Sequence, residues 1–104
     1  MKKTTFYIGL QDKNTKKQEI STENALEIVT DIFLKYSPFG ATISADNRGI
    51  YHYEDGTIAR EKTVSAFVLG LEEENILAIA SACKTALNQE SILIIQTEED
   101  VLFA

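Results

Sequence analysis

Two segments of this 104-residue chain repeat their apolar residues at helical spacing, and each is flanked by segments that alternate apolar and polar residues one by one. That order of periods constrains the fold more than any single motif in the chain. Phe6, Ile8 and Leu10 alternate with Thr5, Tyr7 and Gly9, the pattern of a strand with one buried face. The first helical segment, "STENALEIVTDIFLKYS", opens on Ser21 or Thr22 as N-cap and lines Ala25, Ile28, Val29, Ile32, Phe33 and Tyr36 along one side, until Pro38 and Gly40 stop it. From Ala41 to Tyr53 the chain is again strand-like. The interruption "DNRG" predicts a bulge within one long strand, with Gly49 free to take a positive φ.

Asp55-Gly56 is a hairpin signal, and Thr57 to Leu69 is the returning strand. "EEENILAIASACKTALN" predicts the second helix, with negative charge at its N-terminus and a stripe of Ile76, Ile79, Ala80, Cys83 and Leu87. "SILIIQT" is a last strand, which "EEDVLFA" either extends or follows as a docked tail. Strand, helix, strand, strand, helix, strand is the order of the ferredoxin-like βαββαβ fold, an α+β architecture. Residues 1–104 then form a single domain in which both helices cover one face of a four-stranded antiparallel sheet, with the first and third strands central.

That topology leaves a second sheet face uncovered. The third strand carries Val64, Ala66 and Val68 on one side and Phe67 and Leu69 on the other, and the last strand sets Ile92 and Ile94 against Leu93 and Ile95, so both sheet faces are apolar. A homodimer through this open face is the expected cover, ahead of the tail "EEDVLFA" folding back over it.

Charge narrows the partners. Sixteen acidic residues against ten basic ones give a net charge of −6, which disfavours nucleic acid and anionic membranes. The apolar run near the start is broken by Thr4, Thr5 and Gly9, so it reads as a strand rather than a signal or membrane segment. One cysteine, Cys83, excludes an intrachain disulfide and a multi-thiolate metal site, and fits a cytoplasmic protein. No metal site or cofactor is expected, since "DNRGIYHYEDG" lacks the acidic spacing of a calcium loop and "SADNRG" lacks a phosphate-binding signature.

Chemistry concentrates in "YHYEDGTIARE", Tyr51 to Glu61. With Asp55 and Gly56 as a two-residue loop, Tyr51 faces Arg60 and His52 faces Ala59, which puts the sole histidine, His52, diagonal to Glu61. Tyr51 would then stack on Arg60, and His52, Glu61 and Arg60 are the candidate catalytic groups. A solvated cross-strand pair is the favoured alternative, because no nucleophile motif accompanies them.

The pieces "FYIGL", "GATISADNRGIYHYEDGTIAREKTVSAFVLGL" and "LNQESILIIQTEEDVLF" together resemble a family of small bacterial proteins, many of them predicted lipoproteins, gathered as a domain of unknown function. Gly49 and Tyr51 match its Gly-x-aromatic step, Asp55, Gly56, Ile58, Arg60 and Glu61 its turn and Ile-x-Arg-Glu segment, and Gln89 to Leu93 the start of its last strand. The signal peptide and lipid-attachment cysteine of the lipoprotein members have no match here. What the resemblance implies is a polar cluster of Tyr51, Arg60, Glu61, Gln89 and Glu90, either a binding site or a network fixing the hairpin against the last strand; the structural role is preferred. The function expected from the sequence is therefore a non-enzymatic, dimeric module that binds a small ligand or a protein. The alternatives are a cofactor-free enzyme with His52, Tyr51 and Arg60 in a pocket between helices and sheet, and an acidic phage or mobile-element inhibitor of a basic protein.

Overall fold

The computed structural model describes residues 1–104. Its elements follow the expected order: β1 (Lys2–Gly9), α1 (Thr22–Tyr36), β2 (Thr42–His52), β3 (Ile58–Leu69), α2 (Glu73–Ala86) and β4 (Leu93–Glu98). All pairings are antiparallel and the sheet order is β2-β3-β1-β4, so β1 and β3 are central. This is the ferredoxin-like α+β fold.

Local chemistry sets the helix ends. Ser21 caps α1, its hydroxyl accepting the Asn24 N–H at 3.1 Å. α2 ends in a Schellman turn, with Asn88 in the left-handed region (φ 48°), the Gln89 N–H on Lys84 O and the Asn88 N–H on Thr85 O. That reversal aims Gln89 and Glu90 back toward the sheet.

The even-numbered residues of β1 and β3 face the helices. Phe6, Ile8, Val64, Ala66 and Val68 pack there against Ala25, Val29 and Phe33 of α1 and Ile76, Ile79 and Cys83 of α2. Phe6 and Phe33 meet edge to face, with ring centroids 5.2 Å apart. The odd-numbered residues, Thr5, Tyr7 and Gly9 on β1 and Glu61, Thr63, Ser65 and Phe67 on β3, lie on the open face.

β2 is one strand carrying the expected bulge. The pairing shifts between Ser44↔Ser65 and Asn47↔Thr63, so Ala45 and Asp46 together oppose Val64. Gly49 does not take the positive φ expected of it. It is needed for space instead, because a Cβ there would stand 2.7 Å from the Thr63 hydroxyl. β2 and β3 continue past the helix-covered part of the sheet as a two-stranded arm. Residues 99–104 neither extend β4 nor fold across the open face: Phe103 lines a cavity only at the sheet's far end, with Met1, Phe39, Phe67 and Leu69. No helix is long and apolar enough to cross a membrane.

Phe6 is fully buried and Phe39 is 89% exposed. Phe6→Ala should therefore cost about 3–5 kcal/mol in urea denaturation, whereas Phe39→Ala should change stability by less than about 0.5 kcal/mol.

Candidate functional site

Three residues, Glu54 to Gly56, close the hairpin between β2 and β3, rather than two. The Tyr53 N–H donates to Thr57 O at 2.9 Å, the Gly56 N–H donates to Tyr53 O at 3.0 Å, and Gly56 takes φ +88°. This is a turn followed by a left-handed glycine, the common three-residue loop. Asp55 locks it by accepting both the Thr57 N–H (2.9 Å) and the Thr57 hydroxyl (2.6 Å).

The additional loop residue moves every pairing by one. Tyr51 lies opposite Ala59, Ile50 opposite Arg60, Gly49 opposite Glu61 and His52 opposite Ile58. Because side chains alternate, this slip exchanges the faces of one strand relative to the other. Tyr51 and Arg60 are on opposite faces, so the expected stacking does not form. His52 and Glu61 are likewise separated by the sheet, which removes the acid–base pair. His52 and Arg60 are both exposed on the reverse side of the arm, outside the expected cluster. Neither of them lines the cavity that contains Tyr51.

The other four residues of that cluster share one place. Tyr51, Glu61, Gln89 and Glu90 line a cavity of about 510 Å³ on the open sheet face, together with Tyr53 and Asn47. The Tyr51 hydroxyl donates to Glu90 Oε2 at 3.0 Å and accepts from the Ser91 hydroxyl at 3.2 Å, which joins β2 to the chain entering β4. Tyr51 and Tyr53 meet edge to face at 5.3 Å. The arrangement thus concentrates two carboxylates and two phenol rings.

Gln11, which had no place in the expected cluster, connects two of its members, Glu61 and Gln89, with Tyr53. Its backbone N–H donates to Glu61 Oε2 at 2.7 Å, its carbonyl accepts the Gln89 amide at 2.8 Å, and its side-chain oxygen accepts the Tyr53 hydroxyl at 3.0 Å. The signal for it was parity: Gln11 continues the odd-numbered, open-face side of β1. Gly9, two residues earlier, leaves the space that Glu61 occupies, since a Cβ at Gly9 would collide with Glu61 Oε1. The loop after Gln11 is shaped by Asp12, which accepts the N–H groups of Asn14 (2.8 Å) and Thr15 (3.0 Å) and the Asn88 amide (3.0 Å). Those bonds hold the Asp12 carboxyl below its usual pKa. From this loop Lys16 reaches over the outer face of Tyr53, 3.4 Å from the ring centroid, and pairs with Asp55 at 3.5 Å.

Electrostatics single out Glu61. Burial raises its pKa, and the Gln11 N–H offsets only part of that effect. Tyr53 is also pushed up, first by burial and then by the negative charge of Glu61 and Glu90. Cys83 is inert by contrast, its thiol buried in the core and raised to about 12. No group of three or more His, Cys, Asp or Glu side chains is placed to hold a metal ion. Chemically, the cavity suits a cationic or hydrogen-bonding ligand and offers one carboxylate of raised basicity.

Two outcomes follow for Glu61. Folding raises its pKa, so its contribution to stability is fully present below the pKa of the unfolded chain and is lost as pH rises through the folded value. The stability of the wild type relative to Glu61→Gln should therefore fall as pH rises above the ordinary glutamate value of about 4.3; a pH-independent difference in thermal unfolding would contradict this. Gly9→Ala should cost about 1–3 kcal/mol through overpacking, and most of that loss should disappear in a double-mutant cycle with Glu61→Ala.

No family model and no curated protein matches the sequence. Solved structures do resemble it. A phage SAM lyase in complex with S-methyl-5'-thioadenosine superposes with a TM-score of 0.71 at 20% identity, covering 93% of this chain and 80% of that one. The divalent ion tolerance protein CutA1 from Ehrlichia chaffeensis superposes with a TM-score of 0.51 at 11% identity, covering 97% and 84% respectively. At these identities the likeness is one of fold, and the ferredoxin-like architecture is common to all three.

Proposed function

We propose that the open-face cavity binds an S-adenosyl sulfonium compound and that the protein cleaves a C–S bond in it, releasing S-methyl-5'-thioadenosine. The supporting observation is the pairing of two carboxylates, Glu61 and Glu90, with the rings of Tyr51 and Tyr53 in one cavity. A sulfonium is a permanent cation without a hydrogen to donate. It is recognised by aromatic rings and negative charge rather than by hydrogen bonds. Asn47 adds an amide of the kind that meets the edge of an adenine, and a cavity of about 510 Å³ is of ligand size. The fold shared with a phage SAM lyase is consistent with this chemistry.

When the C–S bond breaks, its electron pair stays on sulfur and the sulfonium becomes a neutral thioether. The carbon left behind either closes on the substrate's own carboxylate, giving a lactone, or forms a C=C bond as its neighbour loses a proton to Glu61. Neither course needs a cofactor. This function departs from the non-enzymatic module expected from the sequence, an expectation based on the absence of a catalytic motif. Residues drawn from β1, β2, β3 and the turn before β4 leave no such motif.

The same open face is the surface on which a second copy would sit, in a homodimer. Tyr7, Leu93 and Ile95 flank the cavity and are 37%, 57% and 45% exposed. A partner packed on them removes an apolar patch from water and closes the cavity against solvent.

Incubation with S-adenosylmethionine, followed by chromatography, should show its conversion to S-methyl-5'-thioadenosine, with the co-product distinguishing lactone from unsaturated amino acid. Glu61→Gln should lower turnover by about 100-fold or more. Tyr51→Ala should weaken binding about tenfold in calorimetry. Binding without conversion would leave a ligand site and no enzyme. Absence of binding up to about 1 mM would remove both.

A further inference from the structure

The reverse side of the β2–β3 arm carries a second surface, which borders the cavity only at Arg48 and Ile50. Three cross-strand pairs, Arg48↔Lys62, Ile50↔Arg60 and His52↔Ile58, put six exposed side chains on one face. These include both arginines of the chain, and none of the six is a carboxylate. Ile50 is 72% exposed and Ile58 54% exposed. In a protein of net charge −6, a basic and apolar stripe of this kind is an exception to its surroundings.

A surface of the opposite character lies at the other end of the molecule. Glu98, Glu99 and Asp100 are followed by Leu102 and Phe103, which are 89% and 75% exposed. The segment is fixed at its start, where the Glu99 N–H donates to Met1 O (2.9 Å) and the N-terminal amine donates to Glu99 O (3.0 Å). The amine also pairs with Glu98 at 3.4 Å, and Glu99 accepts the Thr97 hydroxyl, so Asp100 is the carboxylate without a bond of its own. Beyond Glu99 the segment makes no hydrogen bond to the rest of the chain.

We propose that the acidic, apolar segment Glu99–Ala104 of one copy docks on the reverse face of the arm of another copy. Carboxylates meet Arg48, Arg60 and Lys62, while Leu102 and Phe103 cover Ile50 and Ile58. The same chain cannot satisfy both halves. The segment is anchored beside the Leu69 end of β3, and seven to eleven residues of strand separate Leu69 from Lys62 and Ile58, which is about 24–37 Å at about 3.4 Å per residue. Five residues beyond Glu99 reach at most about 18 Å. The molecule is 43 Å long, with the two surfaces at opposite ends, so the contact is head to tail between copies. The contact is independent of what the cavity binds.

Sedimentation velocity tests it. The wild type should form species larger than the open-face dimer, and this further association should be weaker at 500 mM than at 50 mM salt by roughly tenfold or more. Removal of residues 101–104, which hold no hydrogen bond, should weaken association at least tenfold without changing the thermal unfolding midpoint. Arg60→Glu should do the same, and combining Arg60→Glu with Asp100→Lys should recover most of the loss. A wild type with no species beyond a dimer, unchanged association on removal of 101–104, or failure of the charge exchange to restore it would each overturn the proposal.

Discussion

The hydrogen-bonded closure of Tyr53 against Thr57 is the constraint on which the site depends. With Gly56 in the left-handed region the loop holds three residues, and the sum of paired positions along the arm is set by that number. Strand alternation makes the consequence discrete. In this register Tyr51, Tyr53 and Glu61 share the open face; in the register one residue away Glu61 would change places with Arg60, and a cation would stand where the cavity now holds a carboxylate. Asp55, accepting twice from Thr57, stabilises the loop that selects between the two.

Given that register, Glu61 is held in an unfavourable position by its neighbours. A partly buried carboxylate with one backbone N–H for compensation favours protonation, and the core on the other side of the sheet sustains that cost. Gly9 provides the room and Gln11 the donor, so the end of β1 is matched to a residue on β3 rather than to its own strand pattern. Gln11 also ties Gln89 and Tyr53 to the same point, which makes the cavity wall one connected unit. A group kept more basic than usual, in a cavity with a second carboxylate, is what a reaction on a cation uses.

The architecture was legible because it rests on signals that are local and redundant. Ser21, the two apolar stripes, the alternation of β1 and the bulge in β2 each report on a few neighbouring residues, and all agree with one topology. The hairpin register rests on one loop residue. Asp-Gly is compatible with two- and three-residue closures, so the sequence distinguishes them only through Tyr53 pairing with Thr57, a contact across the turn. Tyr51, Glu61, Gln89 and Glu90 line one cavity, although the expected register put Tyr51 and Glu61 on opposite faces of the arm. For Gln11, parity gives the face but not the partners, because two of its three bonds to the site are made by its backbone.

The arm therefore has two chemically distinct sides generated by one alternation. Odd-numbered residues put phenols and a carboxylate toward the open face, and even-numbered residues put arginine, lysine, histidine and isoleucine toward the reverse. Were the arm only a structural extension, its reverse side would be expected to share the net acidic character of the chain, since unpaired cations add nothing to the fold. Mixed charge and apolar area at Ile50 and Ile58 is the composition of a contact surface instead. The open-face cavity and the head-to-tail contact surface would then both be set by the same loop: a slip of one residue at Gly56 exchanges the two sides and disturbs both at once.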